Sequence, residues 1–399
     1  MLKKIASLVG PSVITASLVL GPGSVTVATL SGAMFGYDLL FALVILWAFM
    51  CTYTFMAAKV GVLSDKTLLT LVAGQFGRPV AVLLGASVFL TCCFFQTGDV
   101  IGVSTSLGTV FNMSDTPFKI GFPLLCLALY FFSPNIYVYV ERIMLAMILM
   151  MLVSFLANLF MAGFDVAAMA KGFVPKLPTG PQLGLLTAMS ATNLVVAAAF
   201  YQSYLVKEKG WTKENYRKMM KDTLLGITLL FVLVGIITIT SAAVLHPRGI
   251  TVRTAGDMAV QLEPLLGPFA KYLFCCGLFA ASFSSLAVNA LTGATLLSDS
   301  LGKSCRMGAG CVKGFAATIM LFGLVMSLVL GGTPVKSITL LQKLTLLTVP
   351  LLAVTLIVVA NRRTVLGEHK NGPALNVIAG LGFLLILYLF YNLLKSFFV

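Results

Sequence analysis

Long apolar segments alternate with short polar ones along almost the whole chain. A helix needs about 20 apolar residues to cross a bilayer, and most of the apolar segments reach that length. The pattern therefore predicts an all-α integral membrane protein that forms one transmembrane domain over residues 1–399. The eleven predicted transmembrane helices lie at residues 5–35, 37–60, 79–110, 117–133, 138–164, 184–207, 221–245, 265–298, 311–331, 336–360 and 374–397.

The first apolar segment is interrupted near its middle by the sequence Gly21-Pro22-Gly23-Ser24. Proline removes a backbone donor, and glycine lowers the cost of leaving helical geometry. A lone proline would be compatible with a simple kink, but a cluster of this kind favours a broken helix. Unpaired backbone groups are tolerated at this depth only where they face protein or line a cavity. We therefore interpret the cluster as half of a binding site.

The sixth apolar segment carries a second interruption, because Ser190, Thr192 and Asn193 lie within it. Small polar residues also allow helices to pack closely, which is the alternative explanation. Two interrupted helices that are five spans apart predict an inverted repeat of five plus five helices, with the substrate bound between the interruptions. The repeats are expected at about 5–164 and about 184–360, followed by an extra helix at about 374–397.

The composition agrees with a membrane protein, since 59% of the residues are hydrophobic and 10% are charged. These values lie outside the usual soluble range. The net charge of +14 comes mostly from Lys and Arg in short loops, which indicates positive-inside topology rather than a nucleic-acid surface. We expect a multi-pass protein of the cell membrane, with its N-terminus in the cytoplasm and its C-terminus outside. Most of the eight cysteines lie in apolar segments, which predicts no disulfide framework.

Few ionisable residues fall inside the predicted helices. Asp99 is an acid within the third helix, and Lys343 is the one basic residue predicted inside a helix. Asp99 could pair with Lys343 or another cation as a structural element, or it could attract cations towards a pathway. Both histidines, His246 and His369, are predicted in loops, so no cluster of catalytic side chains lies at membrane depth. The sequence therefore predicts a transporter and not an enzyme.

Several motifs resemble the Nramp family of divalent-metal transporters, and they keep the family's order over nearly the whole chain. They are Gly10-Pro11, Gly21-Pro22-Gly23-Ser24, Gly36-Tyr37, Ala58-Lys59-Val60-Gly61, Gly98-Asp99-Val100-Ile101-Gly102, Ser203-Tyr204-Leu205-Val206, Pro264-Leu265-Leu266-Gly267 and Ala280-Ala281-Ser282-Phe283-Ser284-Ser285. The resemblance implies a LeuT-type fold in which helices 1 and 6 are broken. This agrees with the repeat that the two interruptions predict.

The chain departs from this family at the residues that would hold a metal ion. The family's Asp-Pro-Gly-Asn in helix 1 reads Gly21-Pro22-Gly23-Ser24 here. Its Met-Pro-His in helix 6 aligns with Val195-Val196-Ala197, or one residue earlier with Leu194 at the methionine, and its glutamine in helix 10 falls at Thr348. The anionic ligand, the thioether and the amide are all replaced. The metal site that the resemblance implies consists of Gly21, Ser24, Val195, Ala198 and Thr348.

These replacements change the expected substrate. Without a thioether the site loses its preference for soft transition metals, and without a carboxylate it can hardly strip Mg²⁺ of its tightly held waters. The pattern resembles the Nramp-related magnesium transporters, a branch of this superfamily. We expect transport of Mg²⁺, and also Mn²⁺, as largely hydrated ions. A carrier of an amino acid or another small organic solute is the alternative, because the helix N-terminus at Gly21–Ser24 would suit a carboxylate.

Proton coupling is expected to be weak or absent. The acidic pair of the family's helix 3 reads Gln96 and Asp99 here, and the last histidine of its helix 6 reads Gln202. The simplest mechanism is a uniporter that works by alternating access as a monomer in the lipid bilayer, with the cation as substrate and no cofactor. Glu141 could be a gate residue or an anchor at the membrane edge. The residues expected along the pathway or at its gates are Pro22, Gly23, Gln96, Asp99, Glu141, Asn193 and Gln202.

Overall fold

The computed structural model describes residues 10–132, 150, 152–161, 163–178, 180–306, 308–330 and 332–398. Regular structure within these residues is helical, with no strand. Short helices at Leu68–Phe76, Val166–Gly172, Ala255–Ala259, Glu263–Leu266 and Arg363–Leu366 connect the longer ones. The main helices are α1 (Pro11–Val19), α2 (Pro22–Phe35), α3 (Leu40–Leu63), α4 (Arg78–Phe111), α5 (Thr116–Phe132), α6 (Leu152–Met161), α7 (Pro181–Asn193), α8 (Val196–Glu208), α9 (Tyr216–Val244), α10 (Ala270–Ser300), α11 (Gly310–Val329), α12 (Pro334–Thr345), α13 (Val349–Asn361) and α14 (Pro373–Phe398).

The all-α membrane fold is confirmed, whereas the described residues do not settle the number of spans. Within the described residues, eight spans are long and apolar enough to cross a membrane, and the bent pair of α1 and α2 makes a ninth. The apolar helices at Thr116–Leu129 and Leu152–Met161 are shorter. The predicted fifth span, 138–164, is described only in part, and Glu141 lies outside the described residues. The predicted total of eleven is therefore not confirmed.

The first span is broken where the sequence predicts it. α1 ends at Val19 and α2 begins at Pro22, with a bend of 59° between them. The sixth span is interrupted at Leu194 and Val195, between α7 and α8, yet its halves continue as one span. A further interruption at residues 346–348 separates α12 from α13, and the sequence did not predict it.

The interrupted helices lie inside the bundle. In the most apolar stretch of the span formed by α7 and α8, 89% of the residues are buried. In the corresponding stretch of α14, 28% are buried. α1 packs on α8, α9 and α10, while α2 packs on α7, α9 and α12. Because protein surrounds the interruptions, their unpaired backbone groups do not face lipid.

The most extensive contact between described helices joins α4 and α10. Small residues allow the close approach, as they do in other membrane bundles. A Cβ atom on Gly293 would lie 2.9 Å from Cys92 Cβ, and a Cβ atom on Gly102 would overlap Ser282 Oγ and Pro22. This packing brings polar residues of α4 and α10 next to the start of α2.

One basic residue lies deeper than the sequence suggests. The sequence predicts Lys59 at the cytoplasmic surface, whereas α3 continues to Leu63 and leaves Lys59 only 3% exposed. Lys59 Nζ donates to Asn371 Oδ1 at 2.9 Å, and a hydrogen bond of this kind offsets part of the cost of burying a cation. Lys343 is therefore not the only basic residue within a span.

Candidate functional site

The interruption of the first span leaves a helix start without a side-chain cap. Gly21 has an extended backbone (φ −101°, ψ −173°), and Pro22 is the first residue of α2. The first N–H groups of a helix lack partners within the helix, so the start of α2 presents donors and a partial positive charge to the protein interior. Gly21, Gly23 and Ser24 each contact a different neighbouring helix.

Gly21 lies against Asp99 of α4. A Cβ atom on Gly21 would be 3.1 Å from Asp99 Oδ1 and 3.1 Å from Ser285 Oγ. The Ser285 hydroxyl donates to Asp99 Oδ2 at 3.0 Å and lies 3.3 Å from the carbonyl oxygen of Leu18. Asp99 Oδ1 is buried and has no hydrogen-bond partner among the described residues. A carboxylate from α4 thus faces Gly21, the position at which the first span lacks a side chain.

Gly23 lies against Gln342 of α12. A Cβ atom on Gly23 would overlap the carboxamide of Gln342, and one on Gly98 of α4 would be 3.5 Å from Gln342 Nε2. Gln342 is buried, and no partner for its Oε1 exists in the described part of the chain. Gln342 therefore brings an amide with a free acceptor to the interruption.

Ser24 joins the two interruptions. Its hydroxyl donates to the carbonyl oxygen of Val19 at 2.6 Å, across the break, and lies 3.4 Å from the carbonyl oxygen of Thr192 near the end of α7. The next residue, Asn193, donates from Nδ2 to the Met189 carbonyl oxygen at 2.9 Å. Its Oδ1 is buried, and none of the described residues donates to it. The two predicted halves of the site are therefore in contact.

Val195 lies in the second interruption and Ala198 lies just after it, and neither residue contributes a polar side chain. Leu194 and Val195 are the non-helical residues between α7 and α8, and the Val195 carbonyl oxygen accepts from the Ala198 N–H at 2.9 Å. The Val195 and Ala198 side chains belong to the buried hydrophobic core. Polar groups at this interruption come from the backbone, Thr192 and Asn193.

Thr348 lies away from this contact, so the structure does not bring it together with Gly21 and Ser24. Its hydroxyl forms a short hydrogen bond with Thr91 of α4 and donates to the Thr345 carbonyl oxygen at 3.0 Å. Thr91 lies about two helical turns, roughly 12 Å, before Asp99 along α4. Because α12 ends at Thr345, residue 348 falls beyond the helix that carries Gln342. Gln342 supplies the amide at the interruption.

Gln96 and Gln202 form separate polar contacts. Gln96 Oε1 accepts a hydrogen bond from Asn289 Nδ2 at 3.3 Å, about one turn of α4 before Asp99. The Thr15 hydroxyl of α1 donates to Gln202 Oε1 of α8. Both glutamines keep a buried Nε2 group for which the described residues offer no acceptor. They extend the polar interior away from the interruption in two directions.

Asp99 is not paired with Lys343. The ion pairs within the described ranges are Lys176–Asp38 and Arg248–Glu263, and both are well exposed. Lys343 Nζ lies instead 3.7 Å from the Cβ position of Gly184 in α7. No group of three His, Cys, Asp or Glu side chains that could hold a metal ion occurs among the described residues. A cation at the interruption would meet one carboxylate and several neutral oxygens.

Two cavities open towards opposite ends of the sixth span. One of about 1000 Å³ is lined by residues that include Pro181 at the start of α7. The other, of about 580 Å³, is lined by residues that include Glu208 at the end of α8. Gly21 and Asp99 line neither of them, and both residues are buried. The contact between the interruptions is therefore enclosed in this conformation.

A hydrogen-bond network joins neighbouring helices at the end of the sixth span where Glu208 lies. Asp299 of α10 accepts from the Tyr204 hydroxyl of α8 at 2.6 Å and from the Thr67 hydroxyl at 2.7 Å. The Thr70 hydroxyl donates to the second oxygen of Asp299 at 3.0 Å. Opening at this end would have to separate α8 from α10 and from the Leu68–Phe76 helix.

The sequence assigned no role to Ser285 and Gln342, which lie at the interruption, or to Asn289, which lies beside Gln96. Ser285 belongs to a run of serines in an apolar helix, and the two amides lie inside apolar segments, where a polar group needs a partner. Those features were the available signals. Their contact partners lie on helices that are far apart in the chain, so the spacing of residues within one segment does not predict these contacts.

Two sequence comparisons bear on the identity of the chain. The sequence model of the family described as "Natural resistance-associated macrophage protein-like" (Nramp) matches residues 12–396. The divalent metal cation transporter MntH of Caldanaerobacter subterraneus is 23% identical over 381 residues, which cover 93% of this chain and 89% of the relative.

Solved structures extend the likeness in fold. A manganese transporter of Eremococcus coleocola, in a mutant form, superposes with a TM-score of 0.82 at 17% identity and covers 98% of this chain and 87% of that one. MhsT in complex with L-phenylalanine gives a TM-score of 0.62 at 15% identity and covers 95% of this chain and 98% of that one. The predicted LeuT-type architecture is thereby confirmed.

Proposed function

The chain belongs to the Nramp family, and from this premise we propose that it carries divalent cations, Mg²⁺ and also Mn²⁺, across the cell membrane by alternating access. Membership of a family of membrane transporters agrees with the prediction that the chain is not an enzyme. Relatives named divalent metal cation transporters support a metal substrate. The choice of metal rests on the groups at the interruption.

One observation carries the proposal. Three buried oxygens, Asp99 Oδ1, Asn193 Oδ1 and Gln342 Oε1, have no donor among the described residues, and all three belong to residues at or next to the contacts of the first interruption. Buried acceptors without donors are rare and call for an explanation. Carboxylate, amide and carbonyl oxygens are ligands that Mg²⁺ and Mn²⁺ accept, whereas soft metals prefer sulfur.

The site suits an ion that keeps part of its water shell. Mg²⁺ requires six oxygens in near-ideal geometry and usually retains several waters in proteins. One carboxylate and two amide oxygens cannot complete such a shell. The Ser24 hydroxyl donates its proton to the Val19 carbonyl oxygen, which leaves the lone pairs of its oxygen able to accept a hydrogen bond from a water of the ion. We therefore propose that the ion is bound partly through its waters.

We also propose that transport is uncoupled from protons. Both histidines of the chain are exposed and lie at the ends of spans or in loops: His246 Nδ1 contacts the Ala33 carbonyl oxygen at 2.9 Å, and His369 lies against the Tyr216 ring. Neither residue provides a relay near Asp99. The membrane potential alone would supply about 4.6 kcal/mol for a divalent cation at 100 mV, from roughly 2.3 per charge.

A carrier of a small organic solute is the second candidate. The start of α2 has no side-chain cap, and such a helix start attracts carboxylates. The structural relative MhsT contains L-phenylalanine, which supports this alternative at the level of fold. Against it, the free buried acceptors at the interruption favour a ligand that carries positive charge.

Uptake into proteoliposomes tests the proposal. A Mg²⁺-sensitive dye and a pH-sensitive dye are enclosed together, and a fixed interior-negative potential drives entry. We expect saturable Mg²⁺ entry with no pH change, and Asp99→Asn should lower the rate on the order of 100-fold because a charged ligand is lost. The control Asp65→Asn makes the same chemical change at an exposed residue and should leave uptake unchanged.

The other outcomes separate the alternatives. Mg²⁺-driven acidification would contradict uncoupled transport. Equal uptake by Asp99→Asn and the unmodified chain would remove Asp99 from the site. Complete absence of divalent uptake, together with uptake of a labelled amino acid, would replace the cation proposal with the organic-solute one.

A further inference from the structure

The larger cavity has an electrostatic character opposite to that of a cation vestibule. Its volume is about 1000 Å³, and its lining includes Arg253, Lys336 and Lys343 but no Asp or Glu. Arg253 and Lys336 are exposed at its rim. A cavity lined by charges of one sign raises the local concentration of ions of the other sign. The cationic cavity, defined by these three residues, therefore favours anions.

Lys343 is the basic residue that lies deepest in this cavity. It is half-buried within the span Pro334–Asn361, and no ion pair or hydrogen bond of its side chain to another described residue occurs. Its Nζ lies 3.7 Å from the Cβ position of Gly184 on α7, and both residues line the cavity. Charged residues inside spans are costly, and those that persist usually serve a function. Among the residues that the structure describes, no acidic side chain supplies the counter-charge that such a position normally requires.

The start of two helices adds to the positive character of the cavity. α7 begins at Pro181 and α12 at Pro334, and residues at both starts line the cavity. Neither N-terminus has a side-chain cap. The donors and the partial positive charge of such ends favour bound anions. They act here together with the ammonium of Lys343.

We propose that the cationic cavity is a binding site for a small oxyanion of the carboxylate or phosphate class, with Lys343 as its principal ligand. The ammonium of Lys343 donates charge-assisted hydrogen bonds to the anion, while Lys336 and Arg253 attract it at the rim. The volume of the cavity is at the upper end of ordinary small-molecule sites, so an anion as large as a tricarboxylate fits. This site is separate from the helix interruption, because neither Gly21 nor Asp99 lines the cavity.

The anion site has a direct structural relation to the proposed cation path. Gln342, which contacts the interruption at Gly23, immediately precedes Lys343 on α12. Successive residues of a helix point about 100° apart, so one residue faces the interruption and the next faces the cavity. A bound oxyanion would neutralise the ammonium beside this route and lower the barrier that it sets against an entering cation.

Equilibrium binding to the purified full chain in lipid nanodiscs tests the assignment. The probes are radiolabelled citrate and radiolabelled inorganic phosphate, in a zwitterionic buffer low in chloride. The variants are Lys343→Gln, which removes the charge, and Lys343→Arg, which keeps it. Lys395→Gln is the matched control, because Lys395 is an exposed lysine at the end of α14 and does not line the cavity.

We expect saturable binding of at least one probe, with affinity about tenfold or more weaker in Lys343→Gln, as for loss of a charged hydrogen-bond donor. Lys343→Arg should bind within about threefold of the unmodified chain, and Lys395→Gln should match it. Binding of citrate alone would identify a carboxylate ligand and binding of phosphate alone a phosphate ligand. Absence of saturable binding of both probes, or equal affinity in Lys343→Gln, would overturn the proposal.

A second variant protects the test against misfolding. If Lys343→Gln loses its thermal transition in nanodiscs, the double variant Arg253→Gln/Lys336→Gln takes its place, since both residues are exposed. We expect about threefold weaker binding, because rim charges act through water. Unchanged affinity of this double variant would then count against the cationic cavity as the binding site.

Discussion

The two interrupted spans differ more than their common role in an inverted repeat suggests. The first is bent by 59°, and three of its residues each meet a polar group of another helix: Asp99, Gln342 and the Thr192 carbonyl. The second continues as one span, and the side chains of Val195 and Ala198 are part of the hydrophobic core. Polar recognition is thus concentrated around the first interruption.

The difference shows that neighbouring helices supply the polar side chains at the first interruption. At the first interruption Gly21 and Gly23 carry no side chains, and side chains of α4 and α12 occupy the space beside them. Asp99 occupies the neighbourhood of Gly21, and Gln342 occupies that of Gly23. At the second interruption the contribution comes from the backbone and from Asn193. The predictions below test this asymmetry in order of expected effect.

The largest effect should come from moving the carboxylate between helices. We expect Asp99→Asn to lower Mg²⁺ uptake on the order of 100-fold, and Gly21→Asp in the same background to recover at least about tenfold. The reason is that a side chain on Gly21 starts 3.1 Å from the present position of Asp99 Oδ1. Gly21→Asn in the Asp99→Asn background is the uncharged control. Equal rates for the two double variants would show that the charge does not act at this place.

Filling the contact between Gly23 and Gln342 should have the next largest effect. A methyl group on Gly23 would overlap the Gln342 carboxamide, and overpacking of this kind destabilises by about 1–3 kcal/mol. We expect Gly23→Ala to lower uptake about tenfold. Gly235→Ala in α9 is the matched control, since nothing lies within 4 Å of its Cβ position. Normal uptake by Gly23→Ala would contradict a tight contact at the first interruption.

A thioether at the second interruption should change selectivity more than rate. We expect Val195→Met to raise the ratio of Mn²⁺ to Mg²⁺ uptake about threefold, because a soft ligand favours the transition metal. The measurement is competition between the two ions in the same liposomes. Val195→Leu, which adds bulk without sulfur, should leave the ratio unchanged. A similar shift in both variants would attribute the effect to packing.

The smallest effect on transport is expected at Thr348. Thr348→Val removes the hydrogen bond to Thr91, which should lower the free energy of unfolding by about 1 kcal/mol and leave uptake unchanged. Thermal unfolding in nanodiscs measures the first quantity and Mg²⁺ uptake the second. Thr355→Val serves as the control, because its hydroxyl bonds only to the Leu351 carbonyl oxygen of the same helix among the described residues. Loss of uptake in Thr348→Val alone would return Thr348 to the pathway.

Much of the fold followed from local features of the chain. Apolar length predicts membrane helices, and the Gly21–Ser24 cluster predicts the break of the first span, since helix geometry depends on residues three or four positions apart. The milder interruption at Leu194 and Val195 was also indicated by the polar residues just before it. The interruption at residues 346–348 was not predicted, although Pro350, the second residue of α13, lies just after it and is the signal that the chain offered.

The sequence alone determined the membrane class and the place of the first interruption, because hydropathy and backbone chemistry are properties of short segments. Only the tertiary structure decided which polar groups meet there. Ser285 and Asp99 are 186 residues apart, and their bond exists because α4 and α10 pack closely. For the same reason Gln342 rather than Thr348 reaches Gly23, since the end of α12 turns the later residue towards Thr91. Long-range packing, which no local pattern encodes, decided which polar side chains surround the interruption.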